Sequence, residues 1–200
     1  MKILGLTGDI ACGKSSVAQI LQEKGVIHLD ADLLVRELYA DVEYARQLAR
    51  QFGDILDEEN AVSRQKLGAL VFNNAELLRE LEAVVHPAVA ELREKKLEQL
   101  RQQDVQFVVL EAVKLLESGQ GRGCDEIWCV IASPEVQMQR LTQNRGLSEE
   151  EAHKRVLAQP SIEKKIVFAD KTPLFFIENN GTFDELKSGV EKLWRQFASI

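Results

Sequence analysis

The sequence predicts an α/β fold, a parallel sheet covered by helices on both faces and interrupted by a helical insertion. Three observations carry this. An apolar, β-branched run, Ile3 to Leu6, gives way across a glycine-bracketed turn to Val17, Ile20 and Leu21 at helical spacing. Further apolar runs of strand length, VIHLD, QFVVLE and EIWCVI, each stand beside helical sequence, the alternation from which parallel sheets are built. Residues 31–104, between the second and third of these runs, are charged and helically periodic with no convincing strand, far longer than a crossover needs.

In chain order, Ile3–Leu6 is the first buried strand, and the helix through Val17, Ile20 and Leu21 stops at Gly25. Val26–Asp30, Gln106–Glu111 and Glu126–Ile131 are the next strands. Within the insertion, Pro87 reads as a helix start. A helical pair follows Ser133 and Pro134, and the spacing of Ser148 and Glu151 makes a capping box for its second member. Thr182 and Glu185 repeat that device for the last helix. No internal repeat or low-complexity linker is present. The segmentation is therefore a core of residues 1–30, 105–133 and 168–200, the insertion 31–104, and a helical segment 134–167.

Two hundred residues suit one core with an elaboration. The formal net charge of -7 argues against a protein that coats nucleic acid or an anionic membrane, because such binding rests on basic surface. Cys12, Cys124 and Cys129 are odd in number and show no zinc-ligand spacing, so neither a disulfide framework nor a structural metal is expected and a reducing cytoplasm fits. Asp9 interrupts an N-terminal apolar run already too short for export, and no stretch has the length of a membrane span.

The chemistry starts at GLTGDIACGKSS. Gly8, Gly13, Lys14 and Ser15 satisfy GxxxxGK[ST] between a strand and a helix, the context that gives the pattern meaning. Such a loop turns backbone N–H groups inward on phosphate oxygens, the helix N-terminus adds a favourable dipole, the lysine offsets β/γ charge and the serine can ligate Mg²⁺. A nucleotide triphosphate is the expected ligand of Gly8, Asp9, Ile10, Ala11, Cys12, Gly13, Lys14, Ser15 and Ser16. Asp9 occupies an unconstrained position of the pattern, from which its side chain can point to solvent. The cradle is shared by hydrolase switches, GTPases and small-molecule kinases, but the NKxD guanine-reading motif is absent.

Asp30 and Asp32, the acids of DAD, follow at the carboxyl end of the second strand, where ligands of parallel α/β sheets gather. Continued extended, the chain would send both to one face. Two readings are open: a general base with a partner that steadies Mg²⁺ through water, or an N-cap for a helix starting at Leu33.

The chain resembles the dephospho-CoA kinase family. The resemblance runs in order through LTGDIACGKSSVAQIL, HLDADLLVREL, the arginine of SRQKLGALVF, LEAVVHP, LLESG, QRLTQNRGLSEEEAHKRVLAQ, EKKIVFAD and IENNGTFDEL, nearly the whole chain. It implies a nucleoside-monophosphate-kinase type of P-loop fold with three layers, an acceptor-binding insertion over 31–104 and a lid over 134–167. It also implies ATP as co-substrate with Mg²⁺ at Ser15, and dephospho-CoA as the acceptor, phosphorylated on its ribose 3′-hydroxyl in the last step of coenzyme A synthesis. Asp32 would be the base, Lys14 and Arg140 would act in catalysis, and Arg145 would cover the phosphates. Asn180 and Gly181 would lie near adenine, Gln159 and Lys164 at the lid's return, and Arg64, His86 and Lys114 at the acceptor. The residues alone leave duller readings: a cap or packing role for His86, a solvated helix face for Arg140 and Arg145, and a turn with positive φ at Asn180 and Gly181. They also leave open another nucleotide or small alcohol as acceptor, or a module that binds nucleotide without turnover.

Departures from the family concentrate on the acceptor side. Val113 and Lys114 replace the start of its PLL-F-E segment, Asn60 stands for a usual glycine, Ser63 for an acid, and Lys171–Phe176 reads as an added stretch. Lys114 is expected to reach water, pair with an acid such as Glu111, or meet a ligand phosphate.

Overall fold

The structure is a computed structural model that describes residues 1–72 and 74–199. It divides into two compact units, residues 1–29 with 105–200, and residues 30–104.

The first unit is built on a five-stranded parallel sheet whose strands are β1 (Lys2–Gly8), β2 (Ile27–Asp30), β3 (Phe107–Glu111), β4 (Glu126–Ile131) and β5 (Leu174–Glu178), in the spatial order 2-3-1-4-5. The sheet ladder pairs Leu6 with Glu111 on one side and with Trp128 on the other, and ends with Gly8 opposite Val130. Alternation along β1 sends Leu4 and Leu6 to one face, where they join Trp128 and Val130, Val17, Ile20 and Leu21 of α1 (Lys14–Gln22), and Val190 and Phe197 of α9 (Phe183–Ser199). On the opposite face the Gly5 position looks onto Leu115, Cys124 and Ile127. Both faces are covered, which is why the strands read as continuous apolar runs. Trp128 is fully buried, its ring edge-on to Phe197 and its indole N–H donating to Glu126 at 2.6 Å.

Three helices connect β4 to β5 where a pair was expected: α6 (Pro134–Arg145), α7 (Glu149–Leu157) and α8 (Ile162–Ala169). The capping box at Ser148 and Glu151 forms, and Thr182 and Glu185 exchange the same pair of bonds before α9. The KTPLFF stretch supplies part of a strand that is not among the apolar runs read as strands above. Leu174, Phe175 and Phe176 are the first residues of β5 and pair with Ile127, Trp128 and Cys129, because the free edge of β4 satisfies their backbone groups.

The second unit holds α2 (Ala31–Ala40), α3 (Val42–Phe52), α4 (Arg64–Val71) and α5 (Ala75–Gln102) around Leu34, Leu48, Phe52, Ile55, Leu67, Leu81 and Val85. Side-chain caps start its helices: Asp41 accepts from Tyr44 N at 2.8 Å, Ser63 from Lys66 N at 3.3 Å and Asn74 from the first turn of α5. Pro87 does not begin a helix. It lies inside α5, which runs on through it, since the loss of one backbone donor at an exposed position is outweighed by the buried stripe Leu81, Val85 and Val89 on either side. Asn60 has φ +62°, so the residue that stands for a glycine keeps a left-handed backbone that asparagine tolerates. Ser63, in place of an acid, is the α4 cap.

Replacing Trp128 with alanine is expected to cost about 3–5 kcal/mol of stability, from the cavity left at the centre of the sheet. Urea unfolding checks this: the midpoint falls while the slope stays near the parent value.

Candidate phosphate-binding site

Because the strands are parallel, their carboxyl ends share one edge, and β1, flanked by β3 and β4, delivers its loop to the middle of it. Two glycines make the loop sterically possible. A Cβ at Gly8 would sit 2.2 Å from the carbonyl oxygen of Val130, and one at Gly13, where φ is +97°, would sit 2.2 Å from Nδ2 of Asn179. Ala11 also lies in the left-handed region, at φ +56°. Left-handed residues at alternate positions are the backbone signature of an anion nest, and this one runs into the N-terminus of α1.

Lys14 folds back over the loop, donating to the carbonyls of Gly8 at 3.0 Å and Asp9 at 3.2 Å. Ser15 is exposed on the first turn of α1, its hydroxyl open to a ligand or metal, and Ser16 is half-buried beside it. Arg140, on α6, is half-buried and donates to the carbonyls of Ala11 at 3.1 Å, Cys12 at 3.3 Å and Asn179 at 3.0 Å. It is therefore a loop-bound residue and not part of a solvated face. Gln159 accepts from the N–H of Ile10 and donates to Gln137 at 2.8 Å, and buried Gln137 donates in turn to the carbonyl of Ala132 at 2.8 Å.

Asp9 does not point to solvent. Its carboxylate pairs with Lys165 of α8, whose side chain is only 5% exposed, because an ammonium that deep requires a counter-charge. The neighbouring lysine of the EKK run, Lys164, is exposed. Burial pushes the thiol of Cys129 up to about 12 and raises that of Cys12, so both are protonated, poorly nucleophilic groups beneath the loop.

Asn180 accepts from the N–H of Ser133 at 2.7 Å, and a Cβ on Gly181 would collide with the carboxylate of Glu185; neither residue has a positive φ. The pair is held by close approach and capping, not by a left-handed turn. Arg145 is exposed at the end of α6, whose stop is Gly146 at φ +64°. Lys114 is exposed after β3, while Glu111 is hydrogen-bonded to His28 at 3.0 Å.

Asp32, Arg64 and His86 belong to the second unit. Chain alternation does not place the two acids of DAD: β2 ends at Asp30, and Asp32 is already in the first turn of α2. Asp30 is the N-cap, accepting from Asp32 N at 2.8 Å, which leaves the exposed Asp32 carboxylate without the capping task. Arg64 opens α4 beside Tyr39, whose phenol burial raises and whose anion the guanidinium partly favours. His86 is exposed on α5.

Two residues that hold the loop, Asn179 and Lys165, were not foreseen. Asn179 is buried and donates to the carbonyl of Cys12 at 2.8 Å, but in ENNG nothing local distinguishes it from Asn180. Lys165 could have been found from helix phase, since it stands four residues before buried Ala169.

Residues 2–185 match the model of the family described as dephospho-CoA kinase. The chain belongs to the dephospho-CoA kinase family. It is 38% identical over 196 residues to the dephospho-CoA kinase of Geobacter sulfurreducens, covering 97% of this chain and 98% of that one. The crystal structure of TT1252 from Thermus thermophilus superposes with a TM-score of 0.79 at 32% identity, covering 98% and 97% of the two chains. The dephospho-CoA kinase of Campylobacter jejuni does so with 0.66 at 25% identity, covering 98% and 96%. Membership of the dephospho-CoA kinase family makes the chain a kinase and accounts for a strand–loop–helix cradle at the centre of the sheet edge. Among the described residues no helix is long and apolar enough to cross a membrane.

The thiol of Cys129 is expected to resist alkylation in the native protein at pH 8 and to react on unfolding. As its folded pKa of about 12 lies above the unfolded value near 9, its contribution to stability is complete below pH 9 and is lost as pH rises toward 12. Native and denatured labelling read by mass check the first point. Unfolding across that pH range in the parent and Cys129→Ala checks the second, the parent showing the steeper loss.

Proposed function

We propose that the protein transfers the terminal phosphoryl group of ATP to the ribose 3′-hydroxyl of dephospho-CoA, yielding coenzyme A and ADP. The observation that carries the reading is the Gly8–Ser15 loop, with left-handed backbone at Ala11 and Gly13 and Lys14 folded across it, in a chain aligned with dephospho-CoA kinases over nearly its whole length.

The residues fit the nucleotide. Gly8 and Gly13 leave room that side chains would fill, the amides at the entry to α1 receive the phosphates, and Lys14 offsets β/γ charge. Among the described residues no group of three carboxylate, imidazole or thiol side chains could hold a metal alone. Ser15 would hold a Mg²⁺ together with the nucleotide, and the ion would supply charge neutralisation there.

Asp32 acts as the general base. Its carboxylate is exposed and released from capping by Asp30, so it can take the proton of the accepting hydroxyl. Arg140 joins two loop carbonyls, Ala11 and Cys12, to that of Asn179 and directs its remaining N–H donors to the charge that develops in transfer. Residues 134–167 form the lid, with Arg145 reaching over the phosphates. Asn180 and Gly181 border the adenine. Residues 31–104 bind the acceptor through Arg64 and His86, with Lys114 meeting it from the segment after β3. Lid closure excludes water, which protects ATP from hydrolysis. The reaction belongs to the cytoplasm, where both substrates are free small molecules.

Incubation with ATP, Mg²⁺ and dephospho-CoA is expected to add one phosphoryl mass to the acceptor; an unmodified acceptor beside a converted alternative alcohol would overturn the assignment. Asp32→Asn is expected to lower kcat by ~10²- to 10⁴-fold with ATP affinity near the parent value. Lys14→Ala is expected to impair both binding and turnover, as calorimetric titration and steady-state kinetics would read.

A further inference from the structure

Three side chains from the stretch between β4 and β5 grip consecutive residues of the loop. Lys165 takes the carboxylate of Asp9, Gln159 the N–H of Ile10, and Arg140 the carbonyls of Ala11 and Cys12. Of these, the Asp9 contact is the one that a phosphate cradle has least reason to contain. Asp9 is the only acid between Gly8 and Ser15, and it stands where a polyanion is to bind.

Its setting is closed. The side chains of Asp9 and Lys165 are 14% and 5% exposed, Lys14 donates to the Asp9 carbonyl at 3.2 Å, and the Cys129 thiol lies within the influence of Lys165, Asp9, Cys12 and Lys14 together. In such surroundings an unpaired carboxylate would repel incoming phosphate with little screening by solvent, and an unpaired ammonium would be costly to bury. Each charge removes the other's penalty.

We infer that Lys165 is a positioning residue for nucleotide binding whose task is to cancel the loop's own carboxylate, Asp9, so that the two work as one neutral clamp between α8 and the phosphate cradle. Lys165 acts through Asp9 and not on the phosphates. The inference rests on the nucleotide-binding reading given above and extends it to two side chains, those of Asp9 and Lys165, which that reading leaves without a task.

The test is a double-variant cycle read by calorimetric titration of the whole chain with ATP, ADP and AMP. Lys165→Met bares Asp9 and is expected to weaken ATP binding by about tenfold or more, the loss shrinking from ATP to ADP to AMP as ligand charge falls. Asp9→Asn/Lys165→Met removes both charges and is expected to recover most of that affinity. Lys165→Arg keeps the charge and is expected to bind as the parent does. Should Lys165→Met fail to fold by circular dichroism, Asp9→Asn decides: asparagine keeps an acceptor for Lys165, so ATP binding is expected to hold or tighten, and a weakening overturns the inference.

A double variant as weak as Lys165→Met overturns it too, assigning Lys165 to the phosphates or to folding. So does a loss equal for all three nucleotides, or parent affinity in Lys165→Met. The readout is binding, so a chain that binds ATP normally yet leaves dephospho-CoA unmodified would sink the proposed function and leave this inference in place; a chain that binds no nucleotide would end both.

Discussion

The molecule depends on the close passage of one loop between two walls. At Gly8 the backbone leaves β1 against the carbonyl of Val130, and at Gly13 it enters α1 against the amide of Asn179, with no room for a side chain at either contact. These approaches compress the connection so far that Ala11 and Gly13 take left-handed backbone. The cradle is thus a steric product of the strands and loops on either side of β1 as much as of its own residues. Its parallel neighbours matter for the same reason, since only a parallel sheet brings the ends of β1, β4 and β5 to one edge.

Compression of that kind leaves backbone and charge to be satisfied, and the side chains around the loop do so from outside. Carbonyls of Gly8, Asp9, Ala11 and Cys12 accept from Lys14, Arg140 and Asn179, and the N–H of Ile10 donates to Gln159. Without those partners the buried polar groups would cost about 1–3 kcal/mol each. The residues that a kinase would use on phosphate are here also the ones that hold the loop in shape, which ties local stability to readiness for ligand. The stretch between β4 and β5 contributes Arg140, Gln159 and Lys165 to the loop, with Gln137 behind Gln159, so its packing bears directly on the cradle.

The insertion shows the same economy with acids. Asp30 closes the first turn of α2 and Asp32, two residues on, is left exposed, so one short acidic motif supplies both a cap and a free carboxylate. Asn60 and Ser63 likewise meet local backbone needs, a left-handed turn and a helix cap, with residue types that differ from those usual in the family. Departures of this sort preserve the frame while changing what a ligand would meet.

Much of this was legible in the residues. The strand-to-helix switch at Ile3–Val17, the glycine pattern with Lys14 and Ser15, the capping boxes at Ser148 and Thr182 and the helical insertion all follow from short-range rules: side-chain period, glycine freedom and side-chain capping. Tertiary structure alone decided the rest. It made Leu174–Phe176 a strand by offering the edge of β4, and it chose Asn179 over Asn180 and Lys165 over Lys164 as the residues that grip the loop. It also turned Asp9 from a solvent-facing acid into half of a buried pair. The reason is the same in each case: a sequence states which groups a residue carries, whereas burial and pairing depend on which distant segment arrives beside it, and the partners of Asp9 and Cys12 lie more than a hundred residues away along the chain.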